Sequence, residues 1–216
     1  MEFRAISLND VWNQALELLQ ANQNAVLGGI AALSVLNFTS SLVSGTSFLV
    51  AGFFVQVMIQ AGVTAQLLDI RDVSKVLARA RCLFSASLAS GILIFPGLLL
   101  FVVPGLILLS RWFVVTPLLI RDELTVGDAL RMSWAATRPS QGAFLTLGAI
   151  YLTLLAALLG GGIAITKWSG LNPQSLYLSV PSTIILSTVV VVGWVAAVAA
   201  LNAVQLSSTG LKRVFG

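Results

Sequence analysis

Six apolar stretches divided by short polar segments leave this chain one class of fold. A helix that crosses the roughly 30 Å hydrocarbon core of a bilayer needs about 20 predominantly apolar residues. Such stretches run from Ala25 to Val43, Ser47 to Leu68, Phe84 to Val103, Ala143 to Leu159 and Thr183 to Val204, with a shorter one from Leu106 to Ile120. Of the 216 residues only 9% are charged and 57% are hydrophobic, whereas an average soluble domain carries about 25% charged residues. So few charges cannot cover the outside of a soluble globule of this length, and the missing water-facing surface implies lipid. The expectation is an all-α, polytopic transmembrane helical bundle in a single domain over residues 1–216. It comprises an amphipathic interfacial helix over 1–24, membrane segments over 25–204 and a tail over 205–216.

The punctuation between the stretches sets their pairing. Ser44-Gly45-Thr46 is short enough to force an antiparallel helical hairpin. A second hairpin is expected to centre on Pro104-Gly105. Its second arm, about 15 residues, reaches only roughly 23 Å as a helix, so it is either a short tilted span or a re-entrant segment. Gly160-Gly161-Gly162 is expected to end the fifth stretch.

Basic residues then give the orientation, because cytoplasmic loops carry the excess of Lys and Arg. With six segments, Arg4, Arg71, Lys75, Arg79, Arg81, Arg121, Arg131, Arg138, Lys212 and Arg213 share one face, ten of the twelve basic residues. Lys167 alone lies on the other. Both termini are therefore expected in the cytoplasm. The polar, amphipathic start lacks a cleavage site and is expected to be retained.

Three amphipathic segments fall on that same face. In the first, Leu8, Val11, Trp12, Ala15, Leu16 and Leu19 recur at spacings of three and four, behind a Ser7–Asp10 capping box. In the second, Val73, Val76, Leu77 and Ala80 form an apolar stripe, and Arg71, Lys75 and Arg79 form a basic one suited to anionic headgroups. The third, from Thr125 to Thr137, opens with Thr125 and Asp128 and places Trp134 at the interface.

Little of this composition supports catalysis. The single Cys82 excludes an internal disulfide, and the absence of His removes the commonest metal ligand and general base. No cofactor and no metal are expected. The net charge of +4 is read as a topology signal, with no nucleic-acid partner. Asp122-Glu123 point in different directions at a helix end and read as surface charges beside Arg121.

Arg111 is the most informative residue. An Arg near the centre of a span costs roughly 2.5 to 3.5 kcal/mol on insertion scales and needs a partner or a route to water. Either it snorkels or bonds helix-end carbonyls at the Pro104 break, or it forms an anion or lipid-phosphate site. Gln56, Gln60 and Thr64 share one face of the second stretch, and Asn37, Asn202 and Gln205 are placed to reach the same interior. Such polar groups either bond across helices or line a path.

The run from Pro104 to Arg138, PGLILLSRWFVVTPLLIRDELTVGDALRMSWAATR, resembles the central signature of a bacterial family. This family is the membrane domain fused to some glycerophosphodiester phosphodiesterases, together with its stand-alone YciC-type inner-membrane relatives. Pro104-Gly105, Arg111 to Pro117 and Asp128 to Trp134 carry the resemblance. It implies six segments and a bacterial inner-membrane location. The phosphodiesterase activity of such proteins belongs to a soluble domain that has no counterpart here. The expectation is a non-enzymatic membrane protein that engages anionic lipid, a membrane-protein partner or a second copy of itself. The alternative is a small transporter or lipid-handling permease with a polar path near Arg111, Gln56 and Gln60.

Overall fold

Backbone N–H and C=O groups find no water inside a bilayer, so a chain this apolar must satisfy them within helices. A computed structural model shows this arrangement and describes residues 5–42, 46–70, 72–100, 102–122, 124–169 and 176–215. Their regular elements are ten helices. The first five are α1 (Leu8–Ala21), α2 (Gln23–Leu42), α3 (Thr46–Leu67), α4 (Val73–Ala78) and α5 (Ala80–Leu100). The rest are α6 (Val102–Arg111), α7 (Val115–Arg121), α8 (Val126–Thr137), α9 (Gln141–Ser169) and α10 (Leu176–Phe215).

Among these residues five stretches are long and apolar enough to cross a membrane: Val50–Leu67, Ala80–Leu98, Val102–Arg121, Gln141–Ile165 and Ser179–Gln205. The expected first span coincides with α2, 20 residues long. It is not one of the five. The hairpin residues Ser44 and Gly45 lie outside the described residues.

α1 begins as the sequence predicts. Ser7 Oγ accepts from the Asp10 N–H at 3.2 Å, and the Ser7 N–H donates to Asp10 Oδ2 at 2.8 Å. The reciprocal pair satisfies two donors that the helix start leaves free. Val11 is buried, with Ala15 and Leu18 packed against the same core, while Trp12 and Leu16 point outward. α1 lies along the C-terminal part of α10, where Ala199, Ala200, Leu201, Ala203 and Val204 are almost wholly buried. α1 and this part of α10 therefore belong to one end of the bundle, as do α4 and α8, which flank the start of α5.

Short α7 forms the middle of this end. It touches α3, α5, α8 and α10, and Val115, Leu118, Leu119 and Ile120 are all buried. Burying such side chains contributes roughly 1.5 to 3 kcal/mol each in water; inside a bilayer close packing has to supply most of the gain.

The second hairpin departs from expectation. α6 starts at Val102, so Pro104 and Gly105 lie within it and not at the bend. Pro104 is the third residue of α6, where a missing N–H removes no intrahelical bond. Gly105 is where α5 and α6 meet: a Cβ there would sit 2.4 Å from the Leu98 backbone nitrogen. The fourth apolar stretch is also longer than expected, 20 residues from Val102 to Arg121, and is interrupted between α6 and α7 at Trp112–Val114.

Two further boundaries shift. Gly160, Gly161 and Gly162 do not end α9, which continues to Ser169. In lipid an unpaired backbone costs several kcal/mol, more than the roughly 0.5 to 1 kcal/mol by which a glycine weakens a helix. The expected basic amphipathic segment is split, with α4 closing at Arg79 and α5 starting at Ala80.

Candidate anion site

Arg111 closes α6, and the residue is only 6% exposed. Its backbone carbonyl, one of those a helix end leaves free, accepts from Ser133 Oγ at 2.6 Å. Thr137 Oγ1 lies 3.5 Å from the same oxygen. Ser133 and Thr137 stand one turn apart on α8 and are both fully buried, so α8 fixes the end of α6. The side chain then lies across the ring of Trp134, with Cζ 5.1 Å from the ring centroid. This cation–π contact is worth roughly 0.5 to 2 kcal/mol, more where water is excluded.

The polar contacts of the head are incomplete. Nη2 donates to Gln141 Oε1 at 2.7 Å, whereas Nε and Nη1 are buried without a partner. A guanidinium carries five N–H donors, so three of them lack an acceptor. Arg138 lies near enough for its charge to oppose that of Arg111. Gln141 is the first residue of α9, whose opening bond runs from the Phe144 N–H to the Ser140 carbonyl at 3.2 Å. Ser140 is pinned in turn, its Oγ accepting from the Ile6 N–H at 2.6 Å.

This arrangement gives Arg111 a specific side-chain partner. It is the tenth of the 20 residues of the Val102–Arg121 stretch, and its side chain is tied to Gln141, the first residue of α9. The bond goes to Gln141 and not to a helix-end carbonyl at Pro104.

The other polar residues form separate pairs. Gln60 Nε2 donates to Thr116 Oγ1 at 3.3 Å, joining α3 to α7. Asn37 Nδ2 donates to Ser187 Oγ at 3.3 Å, joining α2 to α10. Gln56 and Asn202 are half-buried on α3 and α10, and no common network collects the four amides. Gln60 and Thr116 line a cavity of about 300 Å³ with Ser87, Ser90 and Gly91, and Arg111 does not line it. A larger one, about 680 Å³, opens among Gln20, Asn22, Gln23, Asn24, Gln66 and Asp69, also away from Arg111.

Of the basic stripe, Arg71 lies outside the described residues. Lys75 is exposed on α4, and Arg79 is half-buried with Nη1 donating to the Leu124 carbonyl at 3.3 Å. Asp72 caps α4, and the hydrogen bond from the Ser74 hydroxyl holds its carboxyl below the usual range. Asp122 binds Arg121 at 2.8 Å as a surface pair, and Glu123 lies outside the described residues.

Sequence reasoning singled out Arg111 but missed Gln141, Ser133, Thr137 and the stacking of Trp134. The four-residue spacing of Ser133 and Thr137 was the one signal for them. No family model matches the chain, and no curated protein or solved structure does either.

Proposed function

We propose that the protein is a non-enzymatic bacterial inner-membrane protein that engages the phosphate of an anionic lipid at Arg111, with both termini in the cytoplasm. The observation that carries this reading is the buried guanidinium with two partnerless nitrogens. Burying a charge without acceptors is costly, and a planar fork of donors suits phosphate oxygens. Its bond to Gln141 at the start of α9 supports a headgroup over a translocated solute, since exposed Arg131 and Arg138 lie near that helix end and basic residues attract anionic headgroups. The permease alternative is weaker, because Gln60 faces a cavity that neither Arg111 nor Gln56 lines.

The test is phosphorus and mass analysis of lipid retained by the purified protein and by Arg111→Lys and Arg111→Leu. Lys keeps the charge but loses the fork, so retention should fall in the order wild type, Lys, Leu. Equal anionic lipid in all three would overturn the reading.

A further inference from the structure

The Arg111 site holds more positive potential and more donors than a phosphodiester uses. A diester carries one negative charge and two free oxygens. A phosphomonoester carries about −1.5 to −2 and three free oxygens. The charge of Arg138, exposed three residues before Gln141, opposes that of Arg111. Every side-chain partner found for Arg111 is neutral: Gln141, Ser133, Thr137 and the Trp134 ring.

The amino end of α9 adds to this. Because the first bond of that helix belongs to Phe144, the N–H groups of Gln141, Gly142 and Ala143 have no acceptor within it. The helix is 29 residues long, and its dipole favours an anion at this end. Gly142 borders open space, since a Cβ added there would meet no atom within 4 Å. Arg138, Gln141 and Gly142 are all exposed, so this helix end faces the surface, with Arg111, 6% exposed, bonded to it through Gln141.

We propose that Arg111, Arg138 and the amino end of α9 form a receptor for a phosphomonoester, so that a lipid ending in an unsubstituted phosphate is preferred over phosphodiester lipids. This rests on the lipid-phosphate reading of Arg111 and narrows it. Arg138 supplies the second charge, Arg111 the buried fork, and Gln141 holds the fork in register with the helix end.

The experiment places the full chain in nanodiscs of phosphatidylcholine alone, or with phosphatidate or phosphatidylglycerol at equal mole fraction. Bound lipid is read by native mass spectrometry and thermal unfolding. Phosphatidate should be held about tenfold more strongly than phosphatidylglycerol, the order expected of one more charge-assisted hydrogen bond. Arg138→Gln, an exposed change that leaves the core intact, should erase the preference while keeping the fold. Arg111→Lys should weaken both lipids. If phosphatidate and phosphatidylglycerol bind equally and both depend on Arg111, the monoester receptor is overturned and the anionic-lipid reading stands. If neither exceeds phosphatidylcholine and no soluble ester binds, both fall. A parallel arm adds glycerol 3-phosphate to discs of phosphatidylcholine alone: binding as strong as that of phosphatidate supports the receptor and assigns it to a soluble ester.

Discussion

At Arg111 three protein groups act on one side chain, and each can be removed separately. Gln141 orients it, Trp134 covers its face, and α8 holds the backbone it hangs from. Trp134 is 42% exposed, so its removal costs little packing and isolates the ring–cation contact. Trp134→Leu should lower the unfolding midpoint by an amount equivalent to roughly 0.5 to 2 kcal/mol, with Trp134→Phe in between. A midpoint for Trp134→Leu equal to wild type would show the stacking to be geometric only. The sequence exposed Arg111 because a charge in an apolar run stands out by itself. It hid Gln141, an ordinary polar residue thirty positions away whose role exists only once α6 and α9 are packed.

Among the elements, glycine has two opposite roles that composition cannot separate. Gly105 is pressed against α5, and any Cβ there would collide with backbone atoms of Gly97 and Leu98. Gly160, Gly161 and Gly162 meet nothing within 4 Å. Gly105→Ala should therefore part the α5–α6 hairpin and lower thermal stability by more than about 1 kcal/mol, in the range of overpacked cores. Gly161→Ala should leave it unchanged or raise it by about 0.5 to 1 kcal/mol. Differential scanning fluorimetry of the two variants checks both, and the reverse ranking would refute this account of the hairpin. The helical class and most span positions were legible because apolar length is a local property. The boundaries at Val102 and Ser169 were not: Pro104 and the glycine triplet break helices in water, but here one sits in a first turn and the other where unpaired backbone costs more.

For the whole molecule, the common end of α1, α4, α8 and the last turns of α10 turns a charge pattern into a surface. Lys75, Arg79, Arg131 and Arg138 belong to this end, and Lys167 closes α9 about 39 Å away along its axis. Single cysteines at 75 and 167 in a Cys82-free background should react with an impermeant thiol reagent from opposite sides of the membrane. Labelling of position 75 from outside intact cells would overturn the proposed orientation. Replacing Lys75 and Arg79 with Gln should weaken association with anionic vesicles by roughly 1 kcal/mol per charge, and high salt should mimic the change. Salt-insensitive binding in the double variant would leave these residues a purely topological role.

The lengths of the helices also differ. α9, which packs beside α10, runs for 29 residues, against 22 and 21 in α3 and α5. At 1.5 Å per residue α9 reaches about 43 Å and the shorter pair about 31 to 33 Å. Helices so unequal in one bundle put the difference into tilt of α9 or into a thickness gradient in the lipid around the protein. Reconstitution across a series of acyl-chain lengths should give a broad stability optimum displaced toward thicker bilayers, and a steady decline from the shortest chains would contradict it. A protein so built biases where it resides among membrane regions of unequal thickness, whatever headgroup it holds.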